Sequence, residues 1–383
     1  MVEKHKFIEY MDPRQNDLTV TSLFAGCGGL DIGFKRAGYN IIWANEIDKD
    51  AAMTYASYLG HMPVVDDIWK IIDLVPSADV IIGGPPCQAF SLVGKRIEND
   101  PRAKLVFAYA KIIERLKPRA FVMENVPGLL ASRVNGMKLI DYLENLYIQF
   151  GYTVKICHLI ATDFLVPQKR KRVVMIGTKE KSDVKLIQTE KFARLLGYPI
   201  IVYPVSVSQA LDDLPSPSLK GSNESLLPYS DSLCSSYALY MRRLKSDNAV
   251  TLQAMPTMST LDQAFVRYIP PGGNYMDIPD SLATGRIMKF KATGGRTTTY
   301  GRLHPDFPAY TINTYFNRPN VGANYHHREE RLITVREALR LQSFSDDFIP
   351  RFSNQRSLHM QIGNAVPPLM AQGIAESLKE VLL

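Results

Sequence analysis

From Leu18 to about Thr178, short apolar runs alternate with amphipathic stretches of helical period, and this alternation restricts the fold more than any other feature. It predicts strands at 18–24, 41–45, 79–82, 119–123, 153–159 and 172–177, with helices at 31–37, 49–59, 103–116 and 137–149. Strands joined through helices pair in parallel and are covered on both faces, so the expected fold is α/β with a doubly wound, Rossmann-like parallel sheet. Lys117-Pro118-Arg119 stops the long helix before the strand Ala120-Phe121-Val122-Met123, because proline cannot continue a helical hydrogen-bond ladder.

The strand 18–24 runs into Ala25-Gly26-Cys27-Gly28-Gly29-Leu30 and then a helical pattern. A glycine turn between strand and helix lets backbone approach a ligand closely, since no Cβ intervenes. The next strand, Ile41 to Asn45, ends in Glu46, where a carboxylate can accept hydrogen bonds from ribose hydroxyls. Turn and acid together point to an adenosine cofactor; a purely structural turn is the alternative. A second turn follows Asp79-Val80-Ile81-Ile82, where Gly83-Gly84-Pro85-Pro86 leads to Cys87. The prolines fix φ and forbid strand continuation, so Cys87 leaves the sheet edge in a set direction. Those residues alone are compatible with a reactive thiol or with a buried structural cysteine.

Six segments occur in order along the chain: Phe24-Ala25-Gly26-Cys27-Gly28-Gly29, Pro85-Pro86-Cys87-Gln88, Glu124-Asn125-Val126, Gln168-Lys169-Arg170-Lys171-Arg172, Arg336-Glu337-Ala338 with Leu341-Gln342, and Gly363-Asn364-Ala365-Val366. The set resembles the DNA (cytosine-5)-methyltransferases of bacterial restriction-modification systems, which use S-adenosylmethionine and rotate the target base out of the duplex. The resemblance implies Cys87 as nucleophile and Glu124 as the acid that protonates or hydrogen-bonds N3 of the cytosine. It implies Arg172 at O2 and Arg170 supporting the active-site loop and a nearby phosphate; both arginines alternate along the predicted strand and so share a face. For the cofactor it implies Phe24 on the adenine, Gly26, Gly28, Gly29 and Leu30 beside the methionine end, Glu46 at the ribose, and Asp67 and Ile68 at the adenine. Pro86 and Leu105 would line that pocket, with Asn364 and Ala365 reaching it from the returning C-terminal segment. Ile47 stands where many relatives carry an aromatic residue, which leaves the packing on the adenine open. Cys27 is read as packing.

The chain is expected to divide into a polar arm at 1–17, a catalytic cofactor-binding domain at 18–182, a smaller irregular, partly β domain at 183–330, and a segment at 331–383; the resemblance implies target recognition by the second domain and return of the last segment to the catalytic domain. Residues 205–330 do change texture, being rich in Ser, Pro, Gly and Thr, before a helix predicted at Val335–Leu341 and a last one over 366–382. The polar 91–104 stretch resembles a mobile catalytic loop, with Ser91 binding DNA and Lys95, Arg96 and Arg102 meeting its phosphates. Arg286, Lys289, Lys291, Arg296 and Arg302, interleaved with glycine and threonine, form a basic stretch expected to touch double-stranded DNA.

Composition sets looser bounds. A formal net charge of +7 favours an anionic partner without requiring one. Four cysteines, at 27, 87, 157 and 234, are too scattered for a disulfide framework or a zinc site, so no metal is expected and a reducing cytoplasm fits. No apolar run approaches the ~18 residues of a membrane span. The resulting expectation is a cytoplasmic, nucleoid-associated monomer. A tRNA cytosine-5 methyltransferase would carry the same motifs without a long recognition domain. A DNA-binding subunit of a split methyltransferase would have lost Cys87, Glu124 or the glycine turn.

Overall fold

A computed structural model describes residues 16–86, 103–134, 136–180, 183–198, 203–218, 221–230, 234–243, 247–295 and 297–383. The chain forms two compact units, the first taking the residues up to Ile160, Lys171–Gly197 and Pro368–Leu383, the second Ala161–Arg170 and Tyr198–Pro367.

The first unit is built on a six-stranded sheet of β1 (Thr19–Leu23), β2 (Asn40–Ala44), β3 (Val80–Gly83), β4 (Ala120–Asn125), β5 (Thr153–Ile160) and β6 (Lys171–Thr178), in the order β2-β1-β3-β4-β6-β5. Its longer helices are α1 (Gly29–Arg36), α2 (Lys49–Leu59), α3 (Ala103–Leu116), α4 (Leu139–Gln149) and the C-terminal helix Pro368–Leu382. β3 lies between two parallel neighbours, β1 and β4, which is why its Val80, Ile81 and Ile82 are wholly buried and apolar. Asp48 caps α2 by accepting from the Ala51 amide at 2.9 Å, and Gly60, at φ +90°, ends it.

The sheet is mixed, not wholly parallel as the strand–helix alternation suggested. β6 runs antiparallel to both β4 and β5. The Ala161–Arg170 connection is shorter than the dozen or so residues a parallel crossover needs, so β6 folds back against β5 and slots between it and β4.

The C-terminal helix packs on α1 across Gly33. A Cβ at Gly33 would sit 2.3 Å from Ala371 Cβ and 2.5 Å from the Gln372 amide nitrogen. Alanine gains about 1 kcal/mol in helix propensity over glycine, yet overlap at a backbone contact costs about 1–3 kcal/mol. Gly33→Ala is therefore expected to lower the denaturant midpoint, and an unchanged or raised midpoint would show that the two helices part freely.

The second unit packs helices and loops around Phe265, Val266, Ile269, Tyr275, Ile278, Ile287, Tyr300, Tyr325 and Leu332. Among the described residues its β structure is two two-stranded ladders and three isolated bridges. Several late motif residues prove to be internal ties. Gln168 donates to Gln342 Oε1 and the Leu341 carbonyl, both at 3.0 Å, and accepts from the Ile312 amide at 2.9 Å. Gln342 in turn donates to the Ile362 carbonyl at 2.6 Å. Arg340, fully buried, lies between Asp213 (3.0 Å) and Asp346 (2.6 Å), so its charge is paired on both sides. Among the described residues no helix is long and apolar enough to cross a membrane.

Candidate active site

Antiparallel pairing of β4 with β6 creates the central feature. Glu124 lies directly opposite Val174, and Arg172, two residues before Val174, therefore shares its face as a diagonal neighbour. Arg172 Nε sits 2.5 Å from Glu124 Oε1, with both side chains about nine-tenths buried, and Arg172 Nη1 donates to the Lys171 carbonyl at 2.8 Å. The pair faces the turn after β3: a Cβ on Gly84 would come within 3.2 Å of Glu124 Oε2, so glycine is what lets that turn pass so close to the carboxylate. Asn125 donates from Nδ2 to the Pro85 carbonyl at 2.9 Å, tying the same turn to the end of β4. Its motif marked Asn125, but only the structure shows this role. Pro85 is buried and Pro86 exposed.

Cys87 lies outside the described residues, as do Ser91, Lys95, Arg96, Arg102 and Arg296.

The glycine turn is closed by hydrogen bonds from Ala25 N to the Asn45 carbonyl (2.9 Å) and from Gly28 N to the Ala25 carbonyl (3.0 Å). Phe24, Gly26 and Gly28 have φ of +55°, +57° and +90°; the value at Phe24 is uncommon for a residue with a side chain and marks a constrained turn. Glu46 spans the turn, accepting from Gly26 N through Oε2 (2.7 Å) and from Asp48 N through Oε1 (2.8 Å). Burial raises its pKa against the pull of those two amides. Each carboxylate oxygen retains acceptor capacity, and space is open at Gly26, where a Cβ would meet nothing within 4 Å. Close backbone, an acid with free lone pairs and a helix start together fit an adenosine cofactor.

Phe24 and Leu105 are half-buried, Leu30 is buried, and Ile47 is 66% exposed, so that position offers a free side chain where many relatives place an aromatic ring. Asp67 caps a short turn through the Trp69 amide (3.0 Å). Ile68 is 2% exposed with its side chain in the core, which leaves its backbone as the part able to meet an adenine. Asn364, exposed, and Ala365, buried, stand at the C-terminal end of the Gln355–Asn364 helix in the second unit.

Three of the basic residues make hydrogen bonds within the second unit. Arg170 precedes β6, so the alternation that would pair it with Arg172 does not reach it. It is 1% exposed and donates to the carbonyls of Ile312 (3.0 Å) and Gly363 (2.9 Å), a tie within the second unit. Arg302 spends its guanidinium on the carbonyls of His326, Ile269 and Arg328, between 2.8 and 3.0 Å. Lys291 is held by the Ile278 carbonyl and by Asp280 at 2.7 Å. Arg286 and Lys289 remain exposed on the Gly285–Thr293 helix, the Arg286 guanidinium lying 5.3 Å from the Phe290 ring centre.

Comparison with known proteins agrees with this arrangement. The family model for C-5 cytosine-specific DNA methylase matches residues 18–380. Type II methyltransferase M.NgoFVII of Neisseria gonorrhoeae is 32% identical over 382 residues, covering 98% of this chain and 90% of its own. Type II methyltransferase M.DdeI of Desulfomicrobium norvegicum is 32% identical over 384 residues, covering 94% and 88%. A solved prophage-encoded chain of E. coli, assigned as a DNA modification methyltransferase, superposes with a TM-score of 0.71 at 25% identity over 95% of this chain and 99% of its own. A match over nearly the whole chain, on a sheet whose edge brings Glu124 to Arg172, places this protein in the C-5 cytosine-specific DNA methylase family.

Proposed function

We propose that the protein methylates C5 of a cytosine rotated out of a specific double-stranded DNA sequence, as the modifying member of a restriction-modification pair. The observation that carries this reading is the Glu124–Arg172 pair set against the Gly84-Pro85-Pro86 turn, the last described residues before Cys87.

Cytosine C5 is a weak nucleophile, and its ring must be activated before it can be alkylated. The Cys87 thiolate adds to C6, which breaks the ring's aromaticity and moves electron density towards C5, N3 and O2. Glu124 delivers a proton to N3 as that density builds, and the Arg172 guanidinium holds O2. S-adenosylmethionine, held at the glycine turn and Glu46, supplies the electrophilic methyl group. Loss of the C5 proton to solvent then lets the C5–C6 double bond re-form as the Cys87–C6 bond breaks, returning the thiolate, and the N3 proton goes back to Glu124. A base inside a duplex cannot be reached for this chemistry, so it must leave the stack. Arg286 and Lys289, with Lys95, Arg96 and Arg102 of the 91–104 stretch, supply charge for the DNA backbone, an attraction that weakens as salt rises.

Expression in a host without cytosine methylation, followed by bisulfite sequencing of its genome and plasmid, tests the reading. One recurrent sequence carrying 5-methylcytosine is expected, and DNA left unmethylated by a folded, cofactor-binding protein would refute it. Division of labour gives a second expectation. Cys87→Ala should abolish methylation and leave S-adenosylmethionine affinity within about twofold of wild type by calorimetry, since the cofactor residues are separate; a variant that no longer binds the cofactor would contradict that separation.

A further inference from the structure

Beneath the glycine turn lies a hydrogen-bonded chain that the chemistry above does not use. Asp31, in the first turn of α1, is fully buried. Its Oδ1 accepts from the Tyr55 hydroxyl of α2 at 2.9 Å, and that hydroxyl lies 3.3 Å from Nε2 of His61, a half-buried residue just past the end of α2. A tyrosine has one hydroxyl proton; with it given to Asp31, the oxygen accepts from His61. The His61 ring also packs edge-on against Tyr55, with centroids 5.2 Å apart. Tyr55 reaches the turn directly as well, because a Cβ on Gly28 would stand 3.1 Å from Tyr55 Cδ2. One side chain therefore supports Gly28 from below and fastens α1 to the segment after α2. That segment continues to Val64, which bridges to Asn45 and accepts from the Glu46 amide at 3.2 Å. Tyr55 thus meets the turn through its ring, beside Leu59, and through its hydroxyl joins Asp31 of α1 to His61, at the start of the segment that leads to Val64.

We propose that Tyr55 is a positioning residue for the cofactor, and that the Asp31–Tyr55–His61 chain sets the affinity of the glycine turn according to the charge on Asp31. The inference rests on the glycine turn and Glu46 being the S-adenosylmethionine site.

An ionised Asp31 accepts the Tyr55 proton in a charge-assisted bond, which is stronger than the bond to a neutral acid. Burial pushes the Asp31 carboxyl up to about 7, against the lowering pull of the Ser22 and Tyr55 hydroxyls, so its charge changes near neutrality. The Cys27 thiol at the turn faces it as well, and Glu46 acts on that same thiol. His61, at the outer end of the chain, is lowered by burial and by Lys35. Raising the pH through about 7 therefore tightens the hold on Gly28.

Calorimetric titration of the full-length protein with S-adenosylmethionine, combined with single-turnover methylation at saturating cofactor, tests this. Tyr55→Phe keeps the ring under Gly28 and removes only the hydroxyl. Its cofactor affinity should fall by about tenfold while its rate at saturation stays within about twofold. Wild-type affinity should rise between about pH 6 and pH 8. Asp31→Asn, which offers a neutral acceptor at every pH, should lose that rise and retain only the background slope from the cofactor's own amine. A Tyr55→Phe variant that binds as tightly as wild type, or an Asp31→Asn variant with the wild-type pH dependence, overturns the proposal. Glu46→Gln separates the two readings: if it binds the cofactor normally, the assignment of the site has failed, and with it the reason for the relay. If it binds poorly and Tyr55→Phe does not, only the relay has failed.

Discussion

Duplex DNA carrying 5-fluorocytosine at the target position is expected to become covalently joined to the protein, through Cys87, only in the presence of S-adenosylmethionine. Turnover ends when the hydrogen at C5 leaves as a proton and the thiolate is expelled from C6. Fluorine cannot leave as a cation, so the reaction should stop after methyl transfer with the Cys87–C6 bond intact. The adduct should survive denaturing electrophoresis and map by mass spectrometry to the peptide containing Cys87. The other three cysteines are poor rivals. Burial pushes the Cys27 thiol up to about 12 and the Cys234 thiol, next to Asp213, up to about 11, and burial raises Cys157 as well. None supplies an appreciable thiolate at neutral pH. Cys87→Ser should form no adduct and lose methylation by at least on the order of 10⁴-fold, the scale on which removal of a nucleophile is felt. Fluorinated DNA that turns over freely, or an adduct on Cys27, Cys157 or Cys234, would show that Cys87 is not the nucleophile.

How far such a mechanism can be read from sequence depends on what each signal encodes. The strands were legible almost to the residue: 79–82 was expected and Val80–Gly83 observed, because a β-branched run ended by glycine and proline has few other uses. Helix boundaries at Lys49–Leu59, Ala103–Leu116 and Val335–Leu341 were equally plain. Strand direction was not. Hydrophobic period reports that residues 172–177 are extended and buried, and says nothing about which way they run. Yet it is the reversal of β6 that sets Arg172 diagonal to Glu124. Positive charge proved a similarly partial signal. The charge of Arg170, Arg302 and Lys291 is visible in sequence, whereas the carbonyls they donate to come from segments such as Ile312, Gly363, His326 and Ile278, brought close only by folding. The reach of Tyr55 to Asp31, 24 positions away, is hidden for the same reason.

The Glu124–Arg172 pair yields the second large effect. Glu124→Gln preserves shape and can donate a hydrogen bond, but cannot give up a proton to N3. The single-turnover rate at saturating DNA and cofactor should fall by about 10²- to 10⁴-fold, the usual contribution of a positioned acid, with little change in cofactor affinity. The 5-fluorocytosine adduct should form more slowly in proportion. Arg172→Ala acts differently, because it strips the partner from a carboxylate with a 10% exposed side chain and removes the donor expected at O2. An unpaired charge this deep costs about 3–5 kcal/mol, so the variant should unfold at a lower denaturant concentration as well as react slowly. Arg172→Lys separates the two roles. A lysine can satisfy Glu124 as a point charge and should recover most of the stability. It lacks the planar fork that serves the carboxylate and the Lys171 carbonyl together and is proposed to reach O2 as well, so the rate should remain depressed. Recovery of rate together with stability would reduce Arg172 to a counter-ion for Glu124, and a Glu124→Gln enzyme with the wild-type rate would require the proton at N3 to come from another donor.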